Sequence, residues 1–115
     1  MWMVEPKIMC RKHLLGEHLE THMFVGTLKR KIQLKGYVDS NCLELKSLKK
    51  RHDDLADEMF RRGYMHRTPL QLPKYFCDGQ SDYVMNSTVD KEASLKELIG
   101  RCEECRRRYK EYDKH

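Results

Sequence analysis

The residues best equipped for chemistry stand together near the start of the chain, in the string His-Leu-Leu-Gly-Glu-His-Leu-Glu-Thr-His at positions 13–22. On a helix, His13, Glu17 and Glu20 follow one another at i, i+4 and i+7 and share a face, and Gly16 opens space on that surface. A carboxylate there can stabilise a developing cation or move a proton, and a flanking basic face would hold a phosphate backbone near it. Composition by itself favours the plainer reading, a solvated helix face with ordinary ion pairs. His18 and His22 are four apart and could grip one metal ion from a single helix turn. No third ligand is indicated and the pattern is not HExxH, so two polar helix histidines are the stronger reading. Cys102-Glu-Glu-Cys105 has the spacing of half a zinc ribbon or of a redox pair, yet no second CxxC occurs and both cysteines fall on an apolar seam, so core packing is the better account.

Three segments of helical period must position these residues. The first covers residues 10–35, with Leu15, Leu19, Val25, Leu28 and Ile32 as core candidates and Gly36 where a left-handed C-cap is wanted. The second covers 43–62, where Leu45, Leu48, His52, Leu55 and Met59 form one stripe and Gly63 closes the helix. The third covers 90–112, with Asp90 as N-cap and Leu95, Leu98, Cys102, Cys105, Tyr109 and Tyr112 along a seam. Between them, residues 64–89 carry Pro69, Pro73 and Gly79, a composition that favours an ordered loop over a fourth helix. The expected fold is all-α: one domain over residues 1–115, three main helices and an irregular loop before the last. The polar face of the first helix and the N-terminus line the site.

A chain of 115 residues has room for one domain and buries only about 60–70% of its unfolded surface. The 23 Lys plus Arg against 18 Asp plus Glu give a net charge of +5, which suits a polyanionic partner without proving one. Basic residues recur at Lys29, Arg30 and Lys31, at Lys49, Lys50, Arg51, Arg61 and Arg62, and at 106–108, so each helix offers a basic end or face that could border DNA. Five cysteines, an odd number, and no apolar run long enough for a signal peptide or membrane span argue for a reducing, intracellular and cytoplasmic setting, with the thiols mostly buried.

The string at 13–22 resembles the first-helix motif of the pyrimidine-dimer DNA glycosylases of the endonuclease V type. The resemblance continues in Lys-Arg-His-Asp-Asp-Leu-Ala-Asp-Glu-Met-Phe-Arg-Arg-Gly-Tyr at 50–64, with a weaker echo in Tyr-Lys-Glu-Tyr at 109–112. With residues 2–6 it covers most of the first 69 positions. It implies a compact helical fold, no cofactor, and lesion-bearing double-stranded DNA as partner; no metal ligand is assigned, and a monomer is the default. The implied reaction cleaves the glycosidic bond at a pyrimidine dimer and then the strand at the abasic site.

In that family the nucleophile is the N-terminal α-amine, here that of Met1. Such amines titrate near ~7.7–8.0 against ~10.4 for lysine, so a useful fraction is unprotonated at neutral pH. Glu20 takes the place of the family's essential glutamate. His13, Glu17, His18 and His22 are assigned to positioning, DNA contact or support. Arg51, His52 and Arg62 are assigned to phosphate contact or structural support, and Lys29 and Arg30 to DNA contact.

The sequence departs from the pattern twice. Leu19 stands where the family usually has an arginine, so one expected DNA or substrate contact is absent. Related chains also carry about two more residues ahead of the position of Trp2, a span of roughly 7 Å. Met1 is expected to be retained, because the large Trp2 follows it. Three arrangements accommodate the shorter start: an upstream initiation, a path of the N-terminal segment that brings the Met1 amine to Glu20, or a fold kept without lyase chemistry. A catalytically silent DNA-binding relative is therefore the alternative function, and a metal-dependent hydrolase built on His18 and His22 ranks last.

Overall fold

The computed structural model of the chain describes residues 1–64, 69–74 and 78–114. After a 3₁₀ turn at Pro6–Ile8 come α1 (Arg11–Lys29), α2 (Lys35–Asp39), a second 3₁₀ turn at Leu45–Ser47, α3 (Leu48–Arg61), α4 (Asp82–Met85), α5 (Lys91–Arg101) and α6 (Glu103–Asp113). There is no strand among the described residues, so the all-α expectation holds. None of their helices is long and apolar enough to cross a membrane.

The first helix ends earlier than its periodicity predicts. Lys31 adopts φ 57°, and Ile32 N–H donates to Thr27 O while Lys31 N–H donates to Leu28 O, which is the double closure of a Schellman motif. Docking decides this stop: turning the chain at Lys31 delivers Leu34 into the core, where it is buried. Gly36 consequently lies inside α2 rather than capping α1. Two core candidates on this segment are corrected, since Leu19 is 70% and Ile32 48% exposed. The second helix keeps its stripe but starts at Leu48 rather than at 43, after the 3₁₀ turn at Leu45–Ser47. Leu45, Leu48, His52, Leu55 and Met59 are all buried, and Gly63, at φ +82°, closes α3 through Tyr64 N–H on Met59 O and Gly63 N–H on Phe60 O.

The third segment divides. Asp90 caps α5 by accepting from Ala93 N–H, but at Cys102 the backbone turns extended (φ −120°, ψ 110°) and a separate helix begins at Glu103. Among the described residues of the linker at 64–89, α4 is the one helix, a single turn capped by Ser81. Cys77 lies outside the described residues; of the other cysteines, Cys10 and Cys105 are buried and Cys42 and Cys102 half-buried.

α1 packs on α3, and two apolar clusters flank their contact. One gathers Phe24, Val25 and Leu28 with Leu34, Leu43, Leu45 and Leu48 and includes the side chain of Met1. The other gathers Leu14, Leu55, Met59 and Leu98 with Val4, Ile8 and Met9. Each buried aliphatic side chain contributes about 1.5–3 kcal/mol of transfer free energy. Residues 1–4 run from the first cluster to the second.

Candidate active site

The N-terminal segment is held by its backbone. Glu17 Oε1 accepts the Trp2 N–H at 3.0 Å, and Arg51 Nη1 donates to Val4 O at 2.7 Å. Both side chains are buried and bound to each other, with Arg51 Nε 2.5 Å from Glu17 Oε2 and Nη2 3.0 Å from Oε1. A planar guanidinium matched to both carboxylate oxygens is the geometry in which a buried ion pair recovers its desolvation cost. Between these two grips Met3 takes φ 57°, a left-handed conformation that costs a non-glycine residue on the order of 1 kcal/mol and is held by the surrounding structure.

This path sets the α-amine. The Met1 ammonium donates to Glu20 Oε1 in a short hydrogen bond and ion pair and to Cys42 O at 2.8 Å. The Met1 side chain is fully buried, whereas the Glu20 side chain is 35% exposed, so solvent reaches the pair from the carboxylate side. Residues 41–44 are fixed in turn: Asn41 Oδ1 accepts from Asp90 N–H at 2.8 Å, Leu43 O from Ser87 Oγ at 3.1 Å, and the buried Glu44 from Val89 N–H at 2.9 Å. Gly16 lies one turn before Glu20, exposed, and a Cβ built there would meet nothing within 4 Å. Leu19 and Met23 are the exposed apolar neighbours of the carboxylate on α1.

A primary amine against a reachable carboxylate, in a site anchored from two other elements, is equipped for nucleophilic attack with proton transfer at one locus. The sequence model of the pyrimidine dimer DNA glycosylase family matches residues 1–72, well over half of the chain. The chain belongs to this family of DNA-repair glycosylases. No curated protein and no solved structure matches it.

In this member of the family, several residues expected at the DNA are engaged inside the protein. Arg51 is 5% exposed and cannot reach a phosphate without abandoning Glu17, and His52 is buried with Nδ1 at 2.9 Å from Asp53 Oδ1. Arg62 spends its guanidinium on Glu58 at 2.6 Å and on the carbonyls of Pro6, Lys7 and Met9. These three side chains are thus engaged by partners within the protein. His13 turns Nδ1 toward the sulfur of Cys10 at 3.1 Å, and burial, then the charges of Lys12 and Arg101, hold its pKa below the ordinary range.

His18 and His22 are half-buried, and His52 from α3 joins them, with ring centroids 4.8–5.1 Å apart and nitrogens within 4.8 Å of one another. The third member was invisible to local spacing because it arrives from another helix. Lys29 and Arg30 are exposed at the end of α1, as a DNA contact requires.

Proposed function

We propose that this chain excises pyrimidine dimers from duplex DNA as a glycosylase and abasic-site lyase, with Met1 as nucleophile and Glu20 as the proton-handling carboxylate. The observation that carries the proposal is the hydrogen bond from the Met1 α-amine to Glu20. The ammonium gives a proton to the carboxylate, which frees the nitrogen lone pair. Nitrogen attacks C1′ of the damaged nucleotide, the C1′–N1 glycosidic bond breaks, and its electrons leave with the base, which is protonated. The nitrogen, now bonded to C1′, loses a proton through Glu20 to the ring oxygen as the C1′–O bond breaks, and the open sugar is left as an iminium whose positive charge lies beside Glu20. Loss of a C2′ proton to a base shifts electrons toward the iminium and expels the 3′ phosphate, which breaks the strand by β-elimination.

Duplex DNA lies along the exposed side of α1, with Lys29 and Arg30 on phosphates and the bare backbone at Gly16 letting the strand approach Glu20. Leu19, where relatives carry arginine, gives this contact apolar character, and with Met23 it offers a surface on which an unstacked base can rest.

Borohydride trapping tests the proposal, using duplexes that carry a thymine dimer or an abasic site and locating the adduct by peptide mass spectrometry. The expected result is a covalent adduct at the α-amine on both duplexes, reduced at least ~100-fold in Glu20→Gln while that variant still binds DNA. Salt-sensitive binding with no adduct on either duplex would instead establish the silent DNA-binding relative.

A further inference from the structure

Two turns back along α1 from Glu20, four side chains unused by this chemistry converge. Cys10 Sγ lies 3.1 Å from His13 Nδ1 and 3.8 Å from Cys102 Sγ, and Cys105 Sγ lies 3.7 Å from the same His13 nitrogen. All four donor atoms fall within 4.8 Å of one another, and the four cysteines of the described residues are free thiols. Tetrahedral zinc with bonds of about 2.3 Å to sulfur and 2.0–2.1 Å to nitrogen requires donor separations of about 3.5–3.8 Å. The cluster already stands near those edges.

Packed thiols would produce a similar cluster, and three features separate the cases. First, each half of the set is a Cys-x-x-donor that opens a helix. Cys10 caps α1 by accepting from His13 N–H, and Cys102 caps α6 by accepting from Cys105 N–H. Cysteine is not among the favoured N-caps, and its use at both places suits a sulfur carrying negative charge. Second, every sulfur of the cluster has a backbone N–H aimed at it, because Cys10 N–H also points to Cys105 Sγ at 3.2 Å. Such donors are the outer support of metal-bound thiolates. Third, the break between α5 and α6 falls at Cys102 with no proline there to cause it, and it turns both sulfurs of the CxxC toward Cys10 and His13.

We propose that Cys10, His13, Cys102 and Cys105 form a structural zinc site that clamps the α5–α6 pair to the start of α1. Three thiols release their protons to solvent as the ion binds, and His13 donates the Nδ1 lone pair while keeping its proton on Nε2. Four protein ligands close the coordination shell, so the ion supports structure and takes no part in the chemistry at Glu20. Its position gives it a purpose. Cys10 ends the segment whose other end is the Met1 amine, and α6 packs on the Pro6–Ile8 turn within that segment. A domain this small gains much from one such clamp. Cys102 and Cys105 lie beyond the residues matched to the glycosylase family, so the clamp joins the family's helices to a C-terminal pair outside that match.

The test is metal analysis of the full chain purified without chelator, followed by exchange for cobalt(II). One zinc per chain is expected, and the cobalt form should show intense visible bands of tetrahedral coordination with thiolate-to-metal charge transfer in the near ultraviolet. Both signals should vanish in Cys102→Ser/Cys105→Ser and persist in His18→Gln/His22→Gln. If the serine variant does not fold, thiol titration of the wild type replaces it, with three thiols expected to stay shielded until chelator is added. Wild type that holds no zinc and gives no cobalt–thiolate band overturns the proposal. So does metal lost from the histidine variant but kept by the serine variant, which would move it to His18, His22 and His52.

Discussion

Arg51 binds Glu17 through two parallel bonds inside the protein, 2.5 and 3.0 Å long, and each partner also holds one peptide group of the N-terminal segment. The pair is thus the means by which α1 and α3 together position residues 2 and 4, and so the amine of residue 1. Arg51→Ala leaves the Glu17 carboxylate buried and alone, and a loss of about 3–5 kcal/mol in urea unfolding is expected. Arg51→Lys, with a charge but no fork, should fall between wild type and alanine. Trapping on abasic DNA should decline in the same order under conditions where each variant remains folded. Full trapping by folded Arg51→Ala would contradict the positioning role.

The reach of the amine is the next prediction. One residue added ahead of Met1 moves the terminal nitrogen by up to about 3.3–3.6 Å, out of hydrogen-bond range of Glu20, and misplacement on that scale costs on the order of 100-fold. The extended chain, its terminus verified by mass spectrometry, should unfold as wild type does and bind DNA, yet trap poorly. Undiminished trapping would point to a nucleophile other than the residue-1 amine.

Gly16 offers a case in which stability and activity part company. In the interior of α1 a glycine costs roughly 0.5–1 kcal/mol relative to alanine, and a methyl group there would touch nothing in the protein. Gly16→Ala should therefore raise the melting temperature by a few degrees while slowing strand cleavage at dimers, because the added methyl stands where the DNA approaches Glu20. Faster or unchanged cleavage in the more stable variant would remove Gly16 from the DNA path.

Acid sensitivity should report on Glu58. Burial raises its carboxyl pKa, but hydrogen bonds from Arg61 and Arg62 outweigh that effect, and the group titrates below its usual range. A folded-state pKa that is depressed gives stability present above the unfolded value and lost as the pH falls through the folded one. Glu58→Gln should then cost about 1–3 kcal/mol at neutral pH, with the gap to wild type closing as the solution is acidified below the ordinary carboxylate range. A gap that stays constant across that range in denaturant titrations would show that the charge of Glu58 contributes nothing.

The stripe of α3, the capping of α5 by Asp90 and the stop at Gly63 were legible in the sequence because each rests on neighbours within one or two turns. Lys31 was not legible as a helix stop, since a lysine in the left-handed region carries no local signal and yields only because Leu34 gains a buried position. Leu19 fitted the apolar period of α1, yet the helix presents it to solvent beside Glu20. Periodicity already placed His52 on the buried stripe of α3, but it could count Arg51 and Arg62 only as basic, because Glu17 and the Pro6 carbonyl that hold them are 34 and 56 residues away in the chain and only packing decides which meeting occurs.

The cysteines make the division plainest. Sequence supplied a CxxC and, 92 positions earlier, a Cys-x-x-His. Spacing along a chain fixes geometry only over a few residues, so a four-ligand cluster existed for neither half until the fold laid the break at Cys102 against the first turn of α1. Residue types and local spacing determined what chemistry the chain could carry, and the tertiary structure alone decided which of those groups meet.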